Sequence, residues 1–84
     1  MTDNAQMTDE RRLRWLLRRG MKELDVMVTR YHTHRYASAP ETERASFVRL
    51  LETVEDPDIW SWAMGYAEPP PEYLELIAQL RVHR

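Results

Sequence analysis

The sequence has 84 residues, a formal net charge of −2 and no cysteine. This length allows one domain with one modest core. The lack of cysteine excludes a disulfide framework, thiolate metal sites and thiol catalysis. No apolar run approaches the ~20 residues that cross a bilayer, so we expect no membrane insertion. The polar start carries no signal or transit pattern, and we expect a cytoplasmic bacterial protein.

Apolar residues recur at spacings of three and four, and no stretch alternates with period two. This pattern predicts an all-α fold. We expect a compact single-domain bundle of five short helices over residues 8–84, preceded by a flexible tail over residues 1–7. The connections are short, so successive helices should pack as neighbours.

The first two helices are predicted to meet at a glycine. Thr8 is the expected cap of helix one, and Gly20 is expected to end that helix in the left-handed conformation, with Arg18 and Arg19 in the last turn. Helix two should begin near Met21 and fade near residue 36. The residues expected to face the core are Leu13, Leu16 and Leu17, with Trp15 beside them, and Leu24, Met27, Val28 and Tyr31.

Two further helix starts carry local signals. Ser38 and Glu41 fit a capping box before helix three, which should bury Phe47, Val48, Leu50, Leu51 and Val54. Asp56 is the predicted cap of helix four, with Pro57 at its first position and Gly65 at its end. The prolines 69–71 predict an extended stretch. Helix five should run from residue 71 or 72 to residue 82, with Tyr73, Leu76, Ile77 and Leu80 inward.

The sequence shows no arrangement of residues that is typical of catalysis or metal binding. Two glycines cannot build a phosphate-binding loop, and the serines have no histidine and acid partners in sight. His32 and His34 diverge by about 200° on a helix, so they should not share a metal. We therefore expect no enzyme, no metal and no cofactor of the chain's own.

Three tryptophans are many for so short a chain. We expect Trp15, Trp60 and Trp62 to contribute to the core. However, Trp60 and Trp62 are also about 200° apart, so one of them should be partly exposed and available to a partner.

Residues 12–25 form the most informative segment, because a helix end, a glycine turn and a new helix start follow one another. Arg19 comes just before the turn, and Glu23 falls in the first turn of the next helix. A sharp corner would present a cation and an anion with little bulk between them. The simpler interpretation is local: Arg19 and Glu23 pair with each other or cap their helices.

This segment resembles the FAD assembly factors of succinate dehydrogenase. Their Arg-Gly-x-x-Glu motif is matched by Arg19, Gly20 and Glu23, and Trp15 also fits the extended pattern. Residues 47–52 and 56–64 are similar to the family as well, so the resemblance covers roughly residues 9–80. The departures are the triple proline and the chain ends, which touch no motif position.

The resemblance implies a five-helix protein that binds the flavoprotein subunit of succinate dehydrogenase, or of fumarate reductase. It implies that the chain promotes the covalent attachment of FAD to a histidine of that partner, and that FAD stays with the partner. The implied contact residues are Arg19, Gly20 and Glu23, with Arg12 as a peripheral contact. We expect the free chain to be a monomer.

Two other functions stay open on the sequence alone. The same corner would serve an interaction module of another class, such as a toxin-neutralising antitoxin. The arginines at residues 11–19 could bind nucleic acid, but the chain is net acidic and has no evident recognition helix. We therefore expect a protein partner and no nucleic acid.

Overall fold

The computed structural model describes residues 10–83, and within them the chain forms five α-helices and no β-strand. This confirms the predicted all-α fold. Thr8 and the tail over residues 1–7 lie outside the described residues. Helix α1 covers residues 10–16, and the other elements follow in chain order: α2 (Lys22–His34), a 3-10 turn (Tyr36–Ser38), α3 (Glu41–Thr53), α4 (Asp56–Met64), a second 3-10 turn (Pro71–Tyr73) and α5 (Leu74–Val82).

Every helix turns an apolar face toward one shared core. Helix α5 packs against α2, α3 and α4, so its buried side chains lie among theirs. Each fully buried large side chain contributes about 1.5–3 kcal/mol to folding. The core contains Leu13, Leu17, Leu24, Met27, Val28, Tyr31, Phe47, Leu50, Leu51, Ile59, Ala63, Tyr73, Leu76, Ile77 and Leu80. Of the expected core residues, Leu16, Val48 and Val54 are only half-buried.

The helix ends follow the local signals in some places and not in others. Gly65 ends α4, as predicted, and it takes the left-handed conformation with φ 81°. The capping box of Ser38 and Glu41 is not formed, and that prediction is wrong. Residue 38 belongs to the 3-10 turn, its hydroxyl donates to the carbonyl of Arg35 at 3.1 Å, and Pro40 takes the cap position of α3.

The tryptophans differ from expectation. Trp15 is 70% exposed, whereas Trp60 and Trp62 are both half-buried. Leu13 on helix α1 and Leu17 just after it are both buried, and Trp15 lies two positions from each, so its side chain points to the opposite side. The exposed tryptophan of the described chain is therefore the one on α1.

A polar network joins the end of α2 to the start of α3. The buried Tyr31 donates its hydroxyl to Oε2 of Glu43 at 2.6 Å, and Arg35 donates to both oxygens of that carboxylate at 3.0 and 2.9 Å. The hydrogen bond from Arg35 holds the pKa of Glu43 below its usual value. Burial, followed by the bond to Glu43, raises the pKa of Tyr31.

Candidate functional site

The connection between α1 and α2, residues 17–21, forms a tight corner that we call the elbow. Helix α1 ends at residue 16 in a tighter turn, in which the amide of Arg18 donates to the carbonyl of Trp15, three residues back, at 3.1 Å. Arg18 and Arg19 thus lie in the elbow rather than in the last turn of α1, where they were predicted.

Arg19 is held inside the structure. Its Nε and Nη2 atoms donate to Oδ1 of Asp56 at 2.9 and 2.7 Å. Its Nη1 atom donates to the carbonyls of Leu16 and Leu51 at 2.7 and 3.1 Å. Only 11% of the Arg19 side chain is exposed. The expectation that Arg19 points outward, free to bind a partner, is wrong, because its guanidinium joins α1, α3 and α4.

Two aspartates fix the elbow backbone. The second oxygen of Asp56 accepts the amide of Gly20 at 3.0 Å, and Oδ2 of Asp25 accepts the amide of Arg19 at 3.2 Å. Asp56 was predicted to cap α4, but Glu55 takes the cap position and Asp56 is the first helical residue. Its carboxylate is used by the elbow instead, so the charge of Arg19 is balanced where the chain turns.

Gly20 leaves bare backbone at the surface. It is exposed, and its φ is not positive, so the predicted left-handed conformation is not adopted. A Cβ at this position would meet Oδ2 of Asp56 at 3.7 Å, which is an ordinary contact. The fold itself therefore tolerates a small side chain here, and what the glycine supplies is room for close approach from outside.

Glu23 is exposed in the first turn of α2, where unpaired amides favour an acid. Within residues 10–83 it makes no ion pair or side-chain hydrogen bond, so the local pairing of Arg19 with Glu23 does not occur. Arg12, on α1, forms an ion pair with Glu52 of α3 and stays 62% exposed. Of these two residues, only Glu23 carries a charge that no described residue neutralises.

An open concavity of about 560 Å3 lies beside the elbow. The guanidinium carbon of Arg18 lies 5.8 Å from the centroid of the exposed Trp15 ring, a cation–π arrangement on its rim. We call Trp15, Arg18, Gly20 and Glu23 the elbow surface. The concavity is lined by Trp15, Leu16, Arg18, Arg19, Gly20, Met21, Val54, Glu55, Asp56 and Pro57.

The elbow surface combines an exposed aromatic ring, charges of both signs and bare backbone. Tryptophan and arginine are enriched among the residues that dominate protein interfaces. Sequence reasoning missed Trp15 and Arg18 as members of this surface. The spacing of Leu13 and Leu17 was the signal that could have identified Trp15, since it places position 15 on the opposite side of α1.

Other kinds of site have no support in the described residues. No group of three metal-ligating side chains occurs within residues 10–83. His32 stacks on Tyr36 at 5.2 Å and His34 lies parallel to His83 at 6.2 Å, so the two histidines diverge as predicted. No helix in the same range is long and apolar enough to cross a membrane.

Comparisons with known proteins agree on one family. The family model described as the flavinator of succinate dehydrogenase matches residues 11–84. The FAD assembly factor SdhE of Xylella fastidiosa is 53% identical over 55 residues, which are 66% of this chain and 56% of that protein. The FAD assembly factor SdhE of Yersinia pseudotuberculosis is 35% identical over 75 residues, 89% of this chain and 84% of that protein. No solved structure gives a significant match.

Proposed function

Because the chain belongs to the family of FAD assembly factors that flavinate succinate dehydrogenase, we propose that it binds the flavoprotein subunit of that enzyme and promotes its covalent flavinylation. The observation that carries the proposal is the elbow surface, where Trp15, Gly20 and Glu23 are exposed on a corner fixed by internal hydrogen bonds. A rigid surface loses little conformational entropy on binding, which favours affinity.

The motif residues divide into two roles in this proposal. Gly20 and Glu23 touch the flavoprotein, with Arg12 at the edge. Glu23 binds an arginine or backbone amides of the flavoprotein, which we call the client. Gly20 lets the client backbone come close. Arg19 acts as a positioning residue, since its guanidinium is committed to Asp56 and two carbonyls. Trp15 and Arg18 add the apolar and cationic contacts that Arg19 cannot make.

FAD belongs to the client in this proposal. The lining of the elbow concavity has two acids, Glu55 and Asp56, against two arginines, so it offers no net positive charge for the diphosphate of FAD. The chain then acts without chemistry of its own. It holds the flavoprotein so that its reacting histidine and the flavin stay aligned, which is catalysis by positioning within the client. We place this step in the bacterial cytoplasm.

Co-expression with the flavoprotein subunit tests the proposal. Covalent flavin is measured by in-gel fluorescence of the denatured subunit. Gly20→Arg and Glu23→Ala should each lower the signal to the level without the chain. Glu41→Ala is the matched control, because Glu41 is likewise an exposed acid in the first turn of a helix. Wild-type fluorescence with Gly20→Arg and Glu23→Ala contradicts the proposed site.

Two further measurements distinguish the alternative functions. Repeating it with the flavoprotein of fumarate reductase shows whether that subunit is a second client. If the chain binds neither flavoprotein in a pull-down, an interaction module of another class, such as an antitoxin, becomes the better interpretation.

A further inference from the structure

A second and larger concavity lies on the other side of α1 from Trp15. This groove has a volume of about 880 Å3 and is bordered by α1, the end of α2 and α3. Its apolar lining includes Leu13, Leu16, Tyr36 and Val48. Leu16 lines both this groove and the elbow concavity, so the two depressions adjoin at that side chain. The groove is therefore placed to receive part of a partner that already contacts the elbow.

The charges around the groove are unbalanced. Four arginines line it against two glutamates, in a protein whose net charge is −2. Arg12 pairs with Glu52, and Arg49 pairs with Glu72 at 3.5 Å. Arg14 and Arg44 also line the groove, and neither makes an ion pair within residues 10–83. Two cations beside an apolar floor thus make no ion pair with a described residue, and Glu10 is the one acid of the lining that is likewise unpaired within residues 10–83.

The imidazole of His32 lies in the same groove and responds to this charge. Burial lowers its pKa, and the nearby Arg14 lowers it further, while Glu10 acts in the opposite direction. Its ring stacks on Tyr36. An added anion between Arg14 and His32 would relieve the repulsion that now disfavours protonation of the imidazole.

We propose that the groove binds an acidic peptide segment bearing an apolar side chain, and that this segment belongs to the flavoprotein engaged by the elbow. This proposal rests on the proposed function. The apolar side chain lies over Leu13 and Val48, and carboxylates pair with Arg14 and Arg44. A peptide fits better than nucleic acid, because the floor of the groove is apolar, whereas nucleic-acid binding rests mainly on contacts of arginine and lysine with phosphates.

Binding of the purified flavoprotein subunit is measured for three forms of the chain. The first is wild type. The second is Arg14→Glu/Arg44→Glu, which reverses both unpaired cations. The third is the control Arg11→Glu/Arg30→Glu, which makes the same charge change at exposed helical arginines outside the groove. Each titration is done at about 50 mM and about 300 mM salt, since screening weakens exposed charge pairs.

The groove variant should bind about tenfold or more weakly at low salt, a loss on the order of that measured for close interfacial charge pairs. It should also lose most of the salt dependence, whereas the control should stay within about threefold of wild type. In addition, the NMR titration of His32 should shift to higher pH in the wild-type complex. If the groove variant fails to fold, Arg14→Gln/Arg44→Gln is measured in its place. Its binding should weaken and its salt dependence should fall in the same way, by smaller amounts.

The outcomes distinguish the two proposals. If wild type binds the flavoprotein and the groove variant binds equally well at both salt concentrations, the groove proposal is overturned while the elbow proposal stands. If wild type binds no flavoprotein at all, both fall. If wild type instead binds single-stranded oligonucleotide and the groove variant does not, the groove is a nucleic-acid site and the peptide proposal is overturned.

Discussion

The Nη2 atom of Arg19 lies 2.7 Å from Oδ1 of Asp56, and this bond connects the elbow to the first turn of α4. The other oxygen of Asp56 accepts the amide of Gly20. One carboxylate therefore neutralises the motif arginine and fixes the backbone of the motif glycine. This arrangement makes the elbow rigid at the point where the proposed client would bind.

Asp56→Ala should lower the free energy of unfolding by about 2–3 kcal/mol, because it leaves the mostly buried Arg19 guanidinium without its counter-charge. Urea unfolding followed by circular dichroism measures the loss. Arg19→Ala and the double variant complete a double-mutant cycle. The coupling energy should exceed about 1 kcal/mol, and strictly additive effects would contradict the role given to this pair.

Replacement by alanine should affect the stability of the fold little at Gly20 and clearly at Gly65. Gly20→Ala should change stability by less than about 0.5 kcal/mol, because φ is not positive and the new Cβ meets only an ordinary contact. Gly65→Ala should cost about 1–2 kcal/mol, because Gly65 has φ 81° with open space around it, so the cost comes from the backbone alone.

Client binding should depend on the two glycines in the opposite way from stability. Gly20→Ala should weaken client binding, whereas Gly65→Ala should leave it intact at a temperature where the variant is folded. Thermal unfolding and a pull-down of the flavoprotein, measured on the same preparations, check both statements. A Gly20→Ala chain that is markedly unstable would show that the glycine serves the fold rather than the interface.

The helical core could be predicted from the sequence because it follows from local spacing. In α2 all four expected residues, Leu24, Met27, Val28 and Tyr31, are buried. Gly65 ends its helix as expected, since a left-handed glycine acts within one turn of chain. Such features depend on neighbours three or four positions away, which a single sequence displays directly.

The elbow could not be predicted in the same way, because its bonds join distant parts of the chain. Asp56 before Pro57 has the sequence of a helix cap, yet its carboxylate accepts hydrogen bonds from the guanidinium of Arg19 instead of capping α4. An aspartate cap bond is also charge-assisted, but the guanidinium brings a full opposite charge, whereas a helix start offers only backbone amides. The exposed or buried state of Arg19 thus depended on where α4 packs, which local patterns do not encode.

The network of Tyr31, Arg35 and Glu43 should make stability depend on pH. The folded pKa of Glu43 lies below its unfolded value, so the stability contributed by its ionised form is present at neutral pH and is lost as pH falls through the folded pKa. The folded pKa of Tyr31 lies above its unfolded value, so its contribution is present at neutral pH and declines as pH rises above about 10.

Glu43→Gln should therefore reduce stability at neutral pH by about 1–3 kcal/mol and reduce the slope of stability against pH on the acid side. Urea unfolding at a series of pH values measures both. Glu41→Gln is the control, because Glu41 lies two residues away, is exposed, and has no side-chain bond to a described residue. Equal acid slopes for wild type and Glu43→Gln would show that other carboxylates dominate acid unfolding.

Trp15→Ala separates binding from folding, because the Trp15 side chain is 70% exposed. Its removal should change the free energy of unfolding by less than about 0.5 kcal/mol, in line with surface substitutions. Client binding should weaken by about 2 kcal/mol or more if the ring is an anchor of the interface, which corresponds to about thirtyfold in Kd.

Trp62→Ala provides the contrast. The Trp62 ring is half-buried and stacks on Tyr73 at 6.1 Å, so its loss should destabilise the fold by more than about 1 kcal/mol. At a temperature where the variant is folded, its affinity for the flavoprotein should match wild type. Titration of the flavoprotein with both variants decides the matter: if Trp15→Ala binds as tightly as wild type, the exposed ring is not part of the docking surface, and the elbow surface reduces to Gly20, Glu23 and Arg18.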